Sequence, residues 1–129
     1  MPNEPHAGLT RRERQIMDVL FRTGKATVAE VMDQIPDPPS YSAVRATLRV
    51  LEDKGRVQHQ QDGPRYVYLP VVTPEAARRA ALNHVVNTFF EGSTDRAVAA
   101  LLQMTDAKLT DADLGRLAKL VGKAREEGR

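Results

Sequence analysis

The sequence of 129 residues contains no cysteine. This absence excludes disulfides, thiol nucleophiles, cysteine-ligated zinc sites and iron–sulfur clusters, and it fits a reducing compartment. No apolar run approaches the roughly 20 residues that a membrane-spanning helix needs, and the N-terminal residues lack the apolar segment of a signal peptide. We therefore expect a cytoplasmic protein that does not insert into a membrane.

Motifs for catalysis and metal binding are also missing. The three histidines, His6, His59 and His84, lie far apart in the chain and match no metal-ligand spacing. The chain has neither a glycine-rich phosphate loop nor the sharp turn that presents a nucleophilic serine. We expect no enzymatic activity, no metal site and no cofactor.

Excess charge of one sign is nearly absent. The chain has 19 basic and 17 acidic residues, for a formal net charge of +2. Residues 1–70 have 10 basic and 9 acidic residues, and residues 71–129 have 9 and 8, so each half has a net charge of +1. Any surface for a polyanion must therefore come from the local placement of charges.

The first 70 residues predict three helices followed by a β-hairpin. Two capping-box pairs start the first two helices. These pairs are Thr10 with Glu13 and Thr27 with Glu30. A third helix over residues 40–54 has apolar residues at helical spacing, and Gly55 ends it. The alternation then changes to a strand pattern on both sides of a turn at residues 61–64. This order is that of a winged helix-turn-helix, which places its third helix in the DNA major groove.

The third helix has a second face, opposite its apolar stripe. Ser42, Arg45, Ala46 and Arg49 recur at positions i, i+3, i+4 and i+7, so they share the solvent side. Two arginines one turn apart, between small residues, can approach guanine bases or phosphates closely. Tyr41 and Ser42 lie at the helix N-terminus, where a phosphate binds readily. The alternative is an ordinary solvated helix face.

The hairpin over residues 56–70 favours the DNA-binding interpretation. Arg65 follows the turn directly, and the first strand has further hydrogen-bond donors that suit a phosphate backbone. These donors are Arg56, His59, Gln60 and Gln61. Five basic and three acidic residues lie between residues 40 and 70. Because this excess is modest, we expect the affinity to depend on two copies binding together.

Residues 71–129 predict three helices with a large apolar surface. A monomeric bundle of three such short helices is the alternative, but it would be marginally stable. We favour a two-fold dimer, in which a second chain covers this surface. The residues predicted to form the dimer interface are Leu82, Val85, Val86, Phe89, Phe90, Val98, Leu101, Leu102, Leu114 and Leu117.

Several of these stretches resemble one family of bacterial regulators. The matching stretches are Leu9 to Glu13 with Ile16 and Met17, Tyr41 to Val44 with Leu48 and Leu51, Lys54 with Gly55, and Tyr66 to Pro70. Over about residues 8–122 the chain resembles the penicillinase-repressor family, the BlaI/MecI/CopY type of transcriptional regulator. The resemblance implies a dimeric winged-helix repressor that binds a palindromic operator in double-stranded DNA.

The resemblance also implies roles for individual positions. It places Tyr41, Ser42, Ala43, Arg45, Ala46 and Arg49 on the recognition helix and Arg65 on the wing. Ala43 and Ala46 stand where relatives often have hydroxylated residues, so the operator sequence is expected to differ.

Two departures concern how members of the family are induced. Antibiotic-responsive members are cleaved at an Asn-Phe bond, and a membrane sensor protease is a candidate partner on that ground. The matching place here reads Leu102-Gln103. Copper-responsive members have a C-terminal Cys-x-Cys pair, which this chain lacks.

The expected architecture is mainly α with a small β-hairpin. Residues 1–8 are predicted to be disordered, residues 9–70 to form a winged-helix DNA-binding domain, and residues 71–129 to form a helical dimerisation domain. The expected function is that of a homodimeric transcriptional repressor. The alternative is a winged-helix protein-interaction module that does not bind DNA, and the near-zero net charge of residues 1–70 motivates it.

Overall fold

The computed structural model describes residues 6–104 and 108–128, and its architecture is mainly helical with one small sheet. The elements are α1 (Arg11–Thr23), β1 (Ala26–Thr27), α2 (Val28–Gln34), α3 (Tyr41–Asp53), β2 (Val57–Asp62), β3 (Arg65–Pro70), α4 (Pro74–Phe89), α5 (Thr94–Gln103) and α6 (Asp111–Glu126). The predicted fold class is confirmed. Of the segment predicted to be disordered, residues 1–5 lie outside the described residues, and residues 6–8 form a turn.

The predicted capping boxes start α1 and α2. The Thr10 hydroxyl accepts a hydrogen bond from the Glu13 backbone N–H at 3.2 Å, and the Glu13 carboxylate accepts one from the Thr10 N–H at 2.9 Å. Thr27 and Glu30 repeat the arrangement at 3.2 and 2.8 Å. These reciprocal bonds satisfy N–H groups that have no partner inside the helix.

One hydrophobic core lies among α1, α2, α3 and the sheet. The apolar stripe of α3, formed by Val44, Leu48 and Leu51, is fully buried. It packs with apolar side chains from the other elements. These are Ile16, Met17, Val19, Leu20, Ala26, Val28, Val31, Ile35, Val57 and Tyr68. Burial of the stripe fixes the rotation of α3 about its axis and so decides which α3 side chains face solvent.

The sheet has three antiparallel strands in the order β1-β3-β2. The hairpin register runs from Val57 opposite Pro70 to Asp62 opposite Arg65. β1 was not predicted, because two residues are too few to show an alternating pattern. Its pairing with Tyr68 and Val67 is a long-range contact that local sequence does not encode.

The hairpin turn consists of Gly63 and Pro64 alone. The first strand therefore extends two residues into the four-residue turn predicted from sequence, whereas the second begins at Arg65 as predicted. Gly63 has a φ of 62°, and Pro64 is restricted to negative φ by its ring. This order suits a type II′ turn, in which only the first central residue needs a positive φ.

A buried ion pair joins the start of α1 to the end of α3. Lys54 Nζ lies 2.8 Å from Glu13 Oε1, and the Glu13 residue is only 5% exposed. The hydrogen bond from Lys54 lowers the pKa of the Glu13 carboxyl, and the bonds from Thr10 lower it further, whereas burial acts in the opposite direction. A carboxyl whose pKa is lower in the folded state stabilises the fold above its unfolded-state pKa, which is about 4.3 for glutamate. That stability is lost as the pH falls through the lower, folded-state value.

We expect Glu13→Gln to weaken the acid sensitivity of the fold. The free energy of unfolding of the wild type, measured by urea denaturation at pH 6 and pH 3, should fall more over this interval than that of the variant. The reason is that the variant lacks the carboxyl whose protonation breaks the pair. Glu75→Gln, at an exposed site, is the control. Equal pH dependence of wild type and Glu13→Gln would contradict the expectation.

Candidate nucleic-acid interface

One face of α3 is polar and exposed, as the helical spacing predicts. Ser42, Arg45, Ala46 and Arg49 are all exposed, on the side opposite the buried stripe. We call these four residues the arginine face. Its two small side chains leave space around two long basic ones, so a ligand can approach the helix backbone closely.

Three arginines of this region are exposed and make no hydrogen bond or ion pair with described residues. Arg45 and Arg49 on α3 and Arg65 on β3 are exposed, and none of them makes a hydrogen bond or ion pair within residues 6–104 and 108–128. Other arginines of the N-terminal half do have such partners: Arg12 donates to the Pro36 carbonyl at 2.9 Å. The guanidinium donors of the three arginines are therefore available to an external acceptor such as a phosphate or a guanine base.

The N-terminus of α3 lies at one end of the arginine face. The Ser40 hydroxyl caps the helix by accepting a hydrogen bond from the Ala43 N–H at 3.2 Å. Tyr41 is 54% exposed and Ser42 is exposed. Ala43 is half-buried, and its N–H is already bonded, so it is the least accessible of the residues predicted to contact DNA.

A groove runs between α3 and the hairpin. Its lining consists of Ser42, Arg45, Ala46, Arg49, Glu52, His59, Tyr66 and Tyr68. Half of this set is the arginine face. The other half was not predicted to form a site, although His59 was identified as a donor on the hairpin. Glu52 could have been found from its position, since it lies three residues after Arg49 on the same side of α3.

Three rings form the hairpin side of the groove. The His59 ring stacks on Tyr66 with centroids 4.4 Å apart and an angle of 23° between the ring planes, and it lies 5.9 Å from Tyr68. Tyr68 is buried, and burial raises the pKa of its hydroxyl above the usual value. The Tyr68 hydroxyl therefore stays neutral at physiological pH.

The three C-terminal helices leave most of their apolar side chains exposed. Phe89 is 72% exposed, Leu82 61% and Leu101 57%, whereas Val86 and Phe90 are half-buried. The other residues predicted for the dimer interface, Val98 and Leu102 on α5, Leu114 and Leu117 on α6, and Val85 on α4, are also exposed. In α4–α6 only Ala77 and Ala97 are buried. We call the ten predicted residues the C-terminal apolar face.

The described residues contain neither a candidate metal site nor a candidate membrane span. Within residues 6–104 and 108–128, no group of three or more histidine, aspartate or glutamate side chains could hold a metal ion. None of the helices in this part of the chain has the length and apolar character needed to cross a membrane.

Comparison with known proteins gives a family match. The profile of the family described as penicillinase repressor matches residues 9–123. Comparison with curated protein sequences gives no match. A solved structure titled "Possible transcriptional regulator for arsenical resistance" is 30% identical, and the alignment covers 74% of this chain and 91% of that chain with a TM-score of 0.44.

A second solved structure supports the fold. It is ZitR from Lactococcus lactis, a C30AH42A mutant, which is 18% identical over 98% of this chain and 80% of that chain with a TM-score of 0.50. At this identity the similarity concerns the fold alone. The family profile, in contrast, spans nearly the whole sequence, from the start of α1 into the last helix. The chain therefore belongs to the penicillinase repressor family of transcriptional regulators.

Proposed function

We propose that this protein is a homodimeric transcriptional repressor that occludes a promoter by binding a two-fold operator. In each protomer, α3 enters the major groove with its arginine face, and the hairpin formed by β2 and β3 contacts the adjacent phosphates as a wing. The observation that carries the proposal is that Arg45, Arg49 and Arg65 are exposed and make no hydrogen bond or ion pair in the described part of the chain.

The dimer is supported by the exposed C-terminal apolar face. Monomeric soluble proteins rarely expose contiguous apolar patches larger than a few hundred Å². A second copy that covers this face would bury it and would place two copies of α3 on one DNA duplex. A two-fold dimer reads a two-fold operator, because the symmetry of the protein is repeated in the DNA.

The function can be tested by a gel-shift titration with the DNA upstream of the protein's own gene. We expect a shift whose affinity falls steeply with salt. If the basic side chains of the two protomers together neutralise about six phosphates, log K falls against log salt with a slope of about −5. Affinity would then drop by about 10³ between 50 and 200 mM salt.

The control duplex has the same length and base composition in scrambled order. A repressor should bind the upstream DNA more tightly than this control by at least about 10³. Absence of any shift at low salt would refute DNA binding and would favour the protein-interaction module that the small net charge of residues 1–70 suggests.

A further inference from the structure

One side-chain pair joins α3 to the wing. His59 Nδ1 on β2 lies 2.8 Å from both carboxylate oxygens of Glu52 on α3. In the described part of the chain, no other side-chain hydrogen bond connects α3 with β2 or β3. The pair is about one-third exposed on both sides, so its atoms are accessible from the groove.

The pair is also tied into the hairpin. Tyr68 lies directly opposite His59 in the strand register, and Gln61 lies opposite Tyr66. The stack of His59 on Tyr66 is therefore a diagonal cross-strand contact on one face of the hairpin. His59 is on β2 and its ring contacts Tyr66 and Tyr68 on β3, so an interaction that restrains His59 also restrains both strands of the wing.

The wing is anchored in the core at its base and exposed toward its tip. Val57 on β2 and Tyr68 on β3 are buried in the core, and β1 pairs with β3 only at Val67 and Tyr68, so the three-stranded part of the sheet ends there. Residues 60–66 are all exposed, and the turn at Gly63 and Pro64 lies within this stretch. The Glu52–His59 pair thus lies between the buried base of the wing and its exposed tip.

The negative charge of Glu52 is unexpected on a surface that is proposed to bind DNA. Its carboxylate lies in the groove beside Arg45 and Arg49, where the potential should be positive if the surface binds a polyanion. A carboxylate directed at phosphates opposes binding by electrostatic repulsion. Its bond to His59 provides a structural reason for its presence there.

We infer that Glu52 and His59 are positioning residues that fix the angle of the wing against α3. The pair holds Arg65, near the tip, at a set distance from Arg45 and Arg49, so all three meet the DNA together. Pre-ordering of the wing removes the entropy cost of ordering it during binding. This inference rests on the proposed function, because it concerns how the same surface engages DNA.

The test compares Glu52→Ala and His59→Phe with the wild type on the upstream duplex. Glu52→Ala removes the carboxylate that accepts the hydrogen bond, whereas His59→Phe keeps a ring for stacking on Tyr66 and removes the donor. Each variant should bind about tenfold more weakly, and the double variant no more weakly than either single one, because all three break the same contact. The salt slope should become shallower by about 2 per dimer, one wing–phosphate contact in each protomer.

Asp53→Asn is the matched control. It removes one negative charge from the same helix, at an exposed side chain that has no hydrogen-bond or ion-pair partner among the described residues. This variant should bind all DNA slightly more tightly than the wild type, since only a repulsive charge is lost. Thermal unfolding of every variant, measured alongside, checks that the fold is retained.

The outcomes separate the two proposals. If the wild type shifts the upstream duplex but Glu52→Ala tightens binding as Asp53→Asn does, Glu52 is only a repulsive charge and the positioning role is refuted. The same conclusion follows if the effects of Glu52→Ala and His59→Phe simply add. If the wild type shifts no duplex at low salt, the proposed function itself fails.

Discussion

Replacing both Arg45 and Arg49 by alanine is expected to weaken operator binding by about a hundredfold or more, since each bidentate contact between arginine and guanine contributes roughly 1–3 kcal/mol. A two-fold operator presents each contact twice. Neither arginine makes a hydrogen bond or ion pair within the described residues, so the substitutions break no such bond inside the folded chain. Thermal stability should therefore remain close to that of the wild type.

The comparison of operator with scrambled DNA shows what the two arginines do. Contacts to bases are lost only on the operator, whereas contacts to phosphates are lost on every duplex. We expect Arg45→Ala, Arg49→Ala and the double variant each to lose more affinity for the operator than for the scrambled duplex. Equal losses on both duplexes would show that the arginines only position the protein on the DNA backbone.

A charge-matched control comes from α4. The double variant Arg78→Ala with Arg79→Ala removes the same number of positive charges from exposed positions outside the arginine face. It should weaken binding only slightly, because these arginines attract DNA only over a longer distance and salt screens long-range electrostatic attraction. A loss as large as that of the Arg45 and Arg49 variant would mean that total charge, rather than placement on α3, determines the affinity.

The arginine face was predictable because helical periodicity is a local property. Val44, Leu48 and Leu51 define the buried side of α3 by their spacing, and the position of Arg45 and Arg49 on the other side follows from geometry alone. Capping residues mark the helix ends for the same reason: a threonine hydroxyl reaches only the first N–H groups of its own helix.

The groove could be predicted only in part. The contact between Glu52 and His59 joins a helix to a strand, and it depends on how α3 packs against the sheet. The pairing of β1 with β3 connects residues about 40 apart in sequence, with too few side chains to give a pattern. Such contacts are set by tertiary packing, so periodicity within one element contains no signal for them.

The C-terminal helices show a different limit. Their positions follow from caps such as Thr73 with Pro74 and from the capping box of Thr110 with Asp113. The apolar spacing shows which side chains should be buried. It does not show whether a neighbouring helix of the same chain or a second chain buries them. In the structure the side chains of Leu82, Phe89 and Leu101 are exposed, so the chain's own helices do not cover them, and this exposure supports the proposed dimer.

A variant with Phe89→Asp and Leu101→Asp is expected to be monomeric and to lose most of its operator affinity. The two substitutions place carboxylates on α4 and α5 in the middle of the C-terminal apolar face, and burying unpaired charges in an interface is strongly unfavourable. A single winged-helix unit then binds each half-site independently. Linking two units commonly raises the affinity by about 10²–10⁴, so a loss of this size is expected.

Sedimentation at micromolar concentration measures the first effect, and gel shifts on the operator measure the second. Asn87→Asp is the control, because it adds one carboxylate to α4 at an exposed polar position. It should remain dimeric and keep its operator affinity. A wild-type protein that sediments as a monomer at micromolar concentration would contradict the dimer. A monomeric variant with undiminished operator affinity would show that each protomer recognises the operator alone. We do not expect this result, because the charge excess of residues 40–70 is too modest for one protomer to bind tightly.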